Sequence, residues 1–155
     1  MKKIVNEPMS FIVKKNIGLE LDNELRRLIE KVRKVLEKRD YIVSAYIFGS
    51  RVHRRYSVKE DVDVAIYTER KNTWRELVEI MNELEDEVKT RVDLVDLNTA
   101  PLALAYEIVR TSILVLDRKP ELRIEYEVKI LKEYLDLKPR LEEYFRALVE
   151  QAKYS

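Results

Sequence analysis

The run Ile42-Val43-Ser44-Ala45-Tyr46-Ile47-Phe48 is β-branched and aromatic, too short to stand as a helix, and halted by Gly49, one of two glycines in 155 residues. It reads as a buried strand, and what flanks it sets the architecture. Upstream, from Leu21, the apolar residues Leu25, Leu28, Ile29, Val32, Val35 and Leu36 recur at intervals of three and four, the stripe of an amphipathic helix. Downstream, Asp61 to Tyr67 predicts a second strand. Thr73-Trp74-Arg75-Glu76 is a capping box that opens a helix with the stripe Trp74, Leu77, Val78, Met81, Leu84 and Val88.

Arg91 to Leu97 predicts a third strand and Ile113 to Leu116 a fourth, with a short helix from Pro101 to about Val109 between them. Pro120 starts a last helical stretch carrying Leu122, Ile124, Tyr126, Val128, Leu131, Tyr134 and Leu135. Its pattern predicts an interruption at Pro139 and a resumption through Leu141, Tyr144, Phe145, Leu148 and Val149. Strands alternating with helices, without repeats or a Gly-rich linker, describe one α/β (α+β) domain, residues 1–155. Its core spans 19–118 with the N-terminal helix, and a helical tail spans 120–153.

Charge narrows the function classes. Thirty Lys and Arg against 29 Asp and Glu leave a net charge of +1, so no global field draws the chain to nucleic acid or anionic lipid, and nucleic acid is not expected to bind directly. With no cysteine there is no disulfide, no thiolate metal site and no cysteine nucleophile. The opening Met1-Lys2-Lys3-Ile4-Val5-Asn6-Glu7-Pro8 turns polar before a signal-length apolar run develops, so a cytoplasmic protein with no membrane span is expected.

The chemistry concentrates between Phe48 and Asp93. Gly49 lets the backbone turn tightly at the end of a strand, and Ser50 heads what should be a short helix holding Val52; a helix start with a hydroxyl and free amides cradles phosphate. After ten residues come Asp61-Val62-Asp63-Val64. Two aspartates two apart on a strand leave the same face about 7 Å from each other, close enough to bind divalent metal together. Asp93, in Val92-Asp93-Leu94, would add a third carboxylate from an adjacent strand about 4.8 Å away. Asp96 falls on the opposite face and, beside Asn98 and Thr99, reads as a turn residue outside the site.

This pattern resembles the nucleotidyltransferase superfamily that includes DNA polymerase beta: a hydrophobic residue, Gly-Ser, about ten residues, Asp-x-Asp, and a distant third Asp. More closely it is similar to the minimal nucleotidyltransferase antitoxins paired with HEPN-domain RNase toxins. The likeness extends over Val92-Asp93-Leu94-Val95-Asp96-Leu97-Asn98, Pro101, Ala105-Tyr106-Glu107 and the closing Tyr134-Leu135-Asp136-Leu137-Lys138-Pro139. It departs from the family in the bulky connector Arg51-Val52-His53-Arg54-Arg55-Tyr56 and in Glu60 ahead of the first Asp.

The resemblance implies a mixed-sheet nucleotidyltransferase core and transfer of AMP from ATP to a hydroxyl, a tyrosine's, of the partner HEPN toxin. Asp61, Asp63 and Asp93 would be the catalytic metal ligands for two Mg2+ ions, and Gly49, Ser50 and Arg51 would hold the triphosphate. Two alternatives stay open: an antitoxin that neutralises its toxin by binding alone, and nucleotidyl transfer to RNA or to a small-molecule hydroxyl, for which 155 residues leave little room. The basic cluster Arg51, His53, Arg54 and Arg55 reads equally as a solvated loop or as an anion-holding patch. Tyr126, Tyr134, Tyr144 and Phe145 read as core packing, with a stripe broad enough that part of it suits a partner interface.

Overall fold

The computed structural model describes residues 23–49, 52 and 61–154. Its elements run α1 (Asn23–Leu36), β1 (Ile42–Phe48), β2 (Val62–Thr68), α2 (Trp74–Val88), β3 (Val92–Asp96), α3 (Leu102–Thr111), β4 (Ile113–Asp117) and α4 (Pro120–Lys153). The strands form one sheet in the order β3-β2-β1-β4. β1 is antiparallel to both β2 and β4, whereas β2 and β3 are parallel. A parallel pair needs a crossover, which α2 supplies. The mixed sheet that the family resemblance implies is therefore present.

Two apolar cores lie on the two faces of this sheet. Val62, Val64 and Ile66 of β2 join Ile29, Val32 and Leu36 of α1 and Ile80 and Leu84 of α2 on one face. Tyr46 and Ala65 join Ala105, Ile108 and Val109 of α3 and Tyr126 and Ile130 of α4 on the other. Being central and covered on both sides, β1 is buried from Ile42 to Ile47, which is why it reads as an unbroken apolar run.

α2 begins with the capping box seen in the sequence. Thr73 Oγ1 accepts from the Glu76 amide at 3.1 Å, and the Glu76 carboxylate accepts from the Thr73 amide at 2.8 Å. Arg70 adds two guanidinium donations to the same carboxylate, at 2.8 and 3.1 Å.

α4 corrects one expectation. It is a single 34-residue helix with Pro139 inside it. Proline lacks the N–H that would reach the carbonyl of residue 135, so one rung of the ladder is lost; the strong helix formers on both sides carry the helix through. A second correction concerns Tyr144 and Phe145, which are exposed and not core. Tyr126 is buried and stacks on Tyr67 with centroids 4.3 Å apart, while half-buried Tyr134 stacks on Tyr106. Among the described residues no helix is long and apolar enough to cross a membrane.

The first half of α4 is bolted to the sheet by a buried polar cluster. The fully buried Arg123 donates from Nε and Nη2 to the two carboxylate oxygens of Asp117, at 2.9 and 3.0 Å, and from Nη1 to Glu127 at 3.2 Å. Tyr46 in β1 donates to the other Glu127 oxygen at 2.8 Å, and Ser44 donates to Tyr46 at 3.3 Å. Burial raises the carboxyls of Asp117 and Glu127 against the pull of the guanidinium. Three elements are thus tied through one cation.

Candidate active site

The end of β1 is built around Gly49. Its φ of +80° belongs to the left-handed half of backbone space, and a Cβ placed there would lie 2.2 Å from Asp63 Oδ2. Glycine is required twice over, for the turn and because the Asp63 carboxylate occupies the place of a side chain. One turn on, the Val52 amide donates to the Gly49 carbonyl at 3.1 Å, and Val52 is buried in the first core. Ser50, Arg51 and the cluster residues His53, Arg54 and Arg55 lie outside the described residues.

Asp63 is placed by β2. Its neighbours Val62 and Val64 are fully buried in the first core, so strand alternation sends Asp63 to the other face. In the ladder it stands opposite Phe48 on one side and Asp93 on the other. Asp61 lies one residue ahead of β2, half-buried, at the same parity as Asp63; the strand it was expected to open begins at Val62. Asp93 is exposed on β3, the edge strand. Register sets Asp63 and Asp93 side by side at one end of the sheet, on the face that also carries Tyr67 and α4, with Asp61 two residues before Asp63.

Electrostatics follows from that crowding. Burial, then the charge of Asp93, then that of Asp61 raise the Asp63 carboxyl above its ordinary value. An all-oxygen set of mutually repelling carboxylates is the donor chemistry of a hard divalent cation such as Mg2+. The residues fit such an ion in kind, although among the described residues no group of three His, Cys, Asp or Glu side chains is gathered to hold one as they stand.

Asp96 belongs to the turn after β3. Its carboxylate accepts from the Asn98 amide at 3.0 Å. The Asn98 side chain then clamps the end of β2, accepting from the Thr68 amide at 3.0 Å and donating to the Thr68 carbonyl at 2.8 Å. Sequence reasoning passed over this clamp and the Arg123 cluster. Its available signal for the latter was a pair of charges, Arg123 and Glu127, four apart within an apolar stripe.

The profile of one protein family, described as polymerase beta, nucleotidyltransferase, matches residues 30–121, more than half of the chain. The chain belongs to this nucleotidyltransferase family. Among curated proteins none matches. Among solved structures it is similar to a crystal structure of the toxin–antitoxin pair MntA-HepT, at 19% identity and a TM-score of 0.65, over 80% of this chain and 98% of that one. It is also similar to tri-AMPylated Shewanella oneidensis HEPN toxin in complex with MNT antitoxin, at 20% identity, TM-score 0.66, and the same 80% and 98% coverage. A third likeness is to a toxin–antitoxin structure with AMP-PNP, at 20% identity and TM-score 0.67, over 78% and 98% of the two chains. At these identities the likeness speaks for a shared nucleotidyltransferase fold, whose two faces and mixed sheet are those described above.

Proposed function

We propose that this nucleotidyltransferase transfers AMP from ATP to a hydroxyl, a tyrosine's, of a cognate HEPN RNase toxin, and so acts in the cytoplasm as an antitoxin. The observation that carries the reading is the Asp63–Asp93 register with Gly49 packed beneath Asp63. Family membership supplies the reaction class, and the similar toxin–antitoxin structures, one AMPylated and one with AMP-PNP, supply nucleotide and partner.

In this reading Asp61, Asp63 and Asp93 would together hold the divalent ions. When bound, Mg2+ neutralises the charge that develops on the transferred phosphoryl group and on the leaving pyrophosphate. Gly49 and Ser50 hold the β and γ phosphates through backbone amides and a hydroxyl, with Arg51 adding positive charge. Asp93, exposed at the sheet edge, faces the incoming hydroxyl. It takes the proton as the oxygen attacks the α-phosphorus, and the bond to pyrophosphate breaks in line.

The test is intact mass of the co-expressed toxin. Adenylyl increments that appear with the wild-type chain at substoichiometric ratios, and vanish with Asp61→Asn or Asp63→Asn, are the expected result. Protection only at one-to-one ratio, without ATP and without added mass, would leave a binding antitoxin.

A further inference from the structure

Tyr134, ring-stacked on Tyr106 of α3, is the last residue of α4 with partial burial; every residue from 135 to 154 is exposed. At 1.5 Å per residue the helix therefore continues about 27 Å past its last packed turn. Its apolar stripe does not stop there. Arg123, Tyr126, Ile130 and Tyr134 pack on the body, and the same three-and-four spacing continues without a slip through Leu137, Leu141, Tyr144 and Leu148, flanked by Phe145 and Val149. A solvated helix has no need of that continuation.

We propose that this distal arm pairs antiparallel with the arm of a second copy of the chain. Three observations select that occupant. The spacing of Leu137, Leu141, Tyr144 and Leu148 is four, three, four, which reads the same in both chain directions. A two-fold axis near Glu142 and Glu143 therefore sets Leu137 against Leu148 of the second copy and Leu141 against its Tyr144.

The charges from Asp136 to Lys153 are Asp136, Glu142, Glu143 and Glu150 against Lys138, Arg140, Arg146 and Lys153. A like arm thus meets no net repulsion, and a strongly acidic or basic partner finds no field to steer it. Area is the third. Tyr144 and Phe145 are each 59% exposed, Leu141 38% and Leu148 42%. At 59% exposure, two rings of about 150–250 Å² each leave roughly 180–300 Å² open per arm, to which Leu137, Leu141, Leu148 and Val149 add. Complete closure of the stripes and flanks of two arms would enclose up to about 1,200 Å², the lower edge of stable interfaces.

The experiment is light scattering on the purified full chain at tens of micromolar, alone. Wild type should give twice the mass of one chain. The double variant Leu141→Glu with Leu148→Glu should give the single-chain mass while still melting cooperatively with helical circular dichroism, because every residue from 135 to 154 is exposed. A control, Trp74→Glu, alters the exposed tryptophan that opens α2 and should leave the doubled mass intact. A single-chain mass for wild type, a doubled mass for the arm variant, or dissociation by Trp74→Glu would each overturn the proposal.

Discussion

Gly49 and Asp63 are in steric contact: the Asp63 carboxylate fills the space where any side chain at residue 49 would begin, 2.2 Å from an ideal Cβ. Gly49→Ala therefore does two things at once. It puts a Cβ on a backbone with φ of +80°, at a cost of about 1–2 kcal/mol, and it evicts the carboxylate. Adenylyl transfer should fall at least ~100-fold, as expected when a reacting group is displaced by about 1 Å, while urea titration shows a folded protein with a lowered midpoint. Near-normal transfer would mean that Asp63 is not where the chemistry happens.

Arg123→Met should be among the most destabilising single substitutions in the chain. It leaves Asp117 and Glu127 facing each other in the interior without their cation, a class of change that costs about 3–5 kcal/mol. Urea denaturation reads this directly. Arg123→Lys should recover little, because an ammonium cannot span both oxygens of Asp117 while reaching Glu127.

The start of α2 carries a pH signature. The guanidinium of Arg70, followed by the Thr73 amide, holds the Glu76 carboxyl down to about 2. A depressed folded value means that the contribution is present above the ordinary glutamate range near 4.5 and is lost as pH falls toward 2. Glu76→Gln should flatten the acid limb of stability over that window, with little change in the pH dependence above 5. Thr73→Ala should cost about 1 kcal/mol at neutral pH by removing the cap.

How far all this could be read from the sequence depends on what each signal measures. Period-two and three-and-four patterns report which side of an element is apolar. Hence β1, the stripe of α1 and the capping box at Thr73 were legible, as was the setting of Asp93 on a strand beside β2. The same signal is silent on what covers the apolar side, so Tyr144 and Phe145, indistinguishable in pattern from Tyr126, were assigned to a core that does not extend to them. Pro139 was read by its local cost alone; a helix firmly anchored through Arg123 and Tyr126 absorbs one missing hydrogen bond. Arg123 and Glu127 show in the sequence only as opposite charges four apart, because only the third dimension brings Asp117 and Tyr46 onto them.

The central claim is that Asp61, Asp63 and Asp93 form a cation-dependent transfer site, and a thermal melt of wild type and Asp63→Asn with and without Mg2+ tests it most directly. Because burial and the facing carboxylates raise the Asp63 carboxyl, its ionised form costs the empty fold stability as pH rises past the ordinary aspartate value. Without Mg2+, Asp63→Asn should accordingly melt at or above wild type. Mg2+ at about ten times its dissociation constant should stabilise wild type by about 1.4 kcal/mol and leave the variant unmoved. A wild type indifferent to Mg2+, or a variant that shifts equally, would contradict the account.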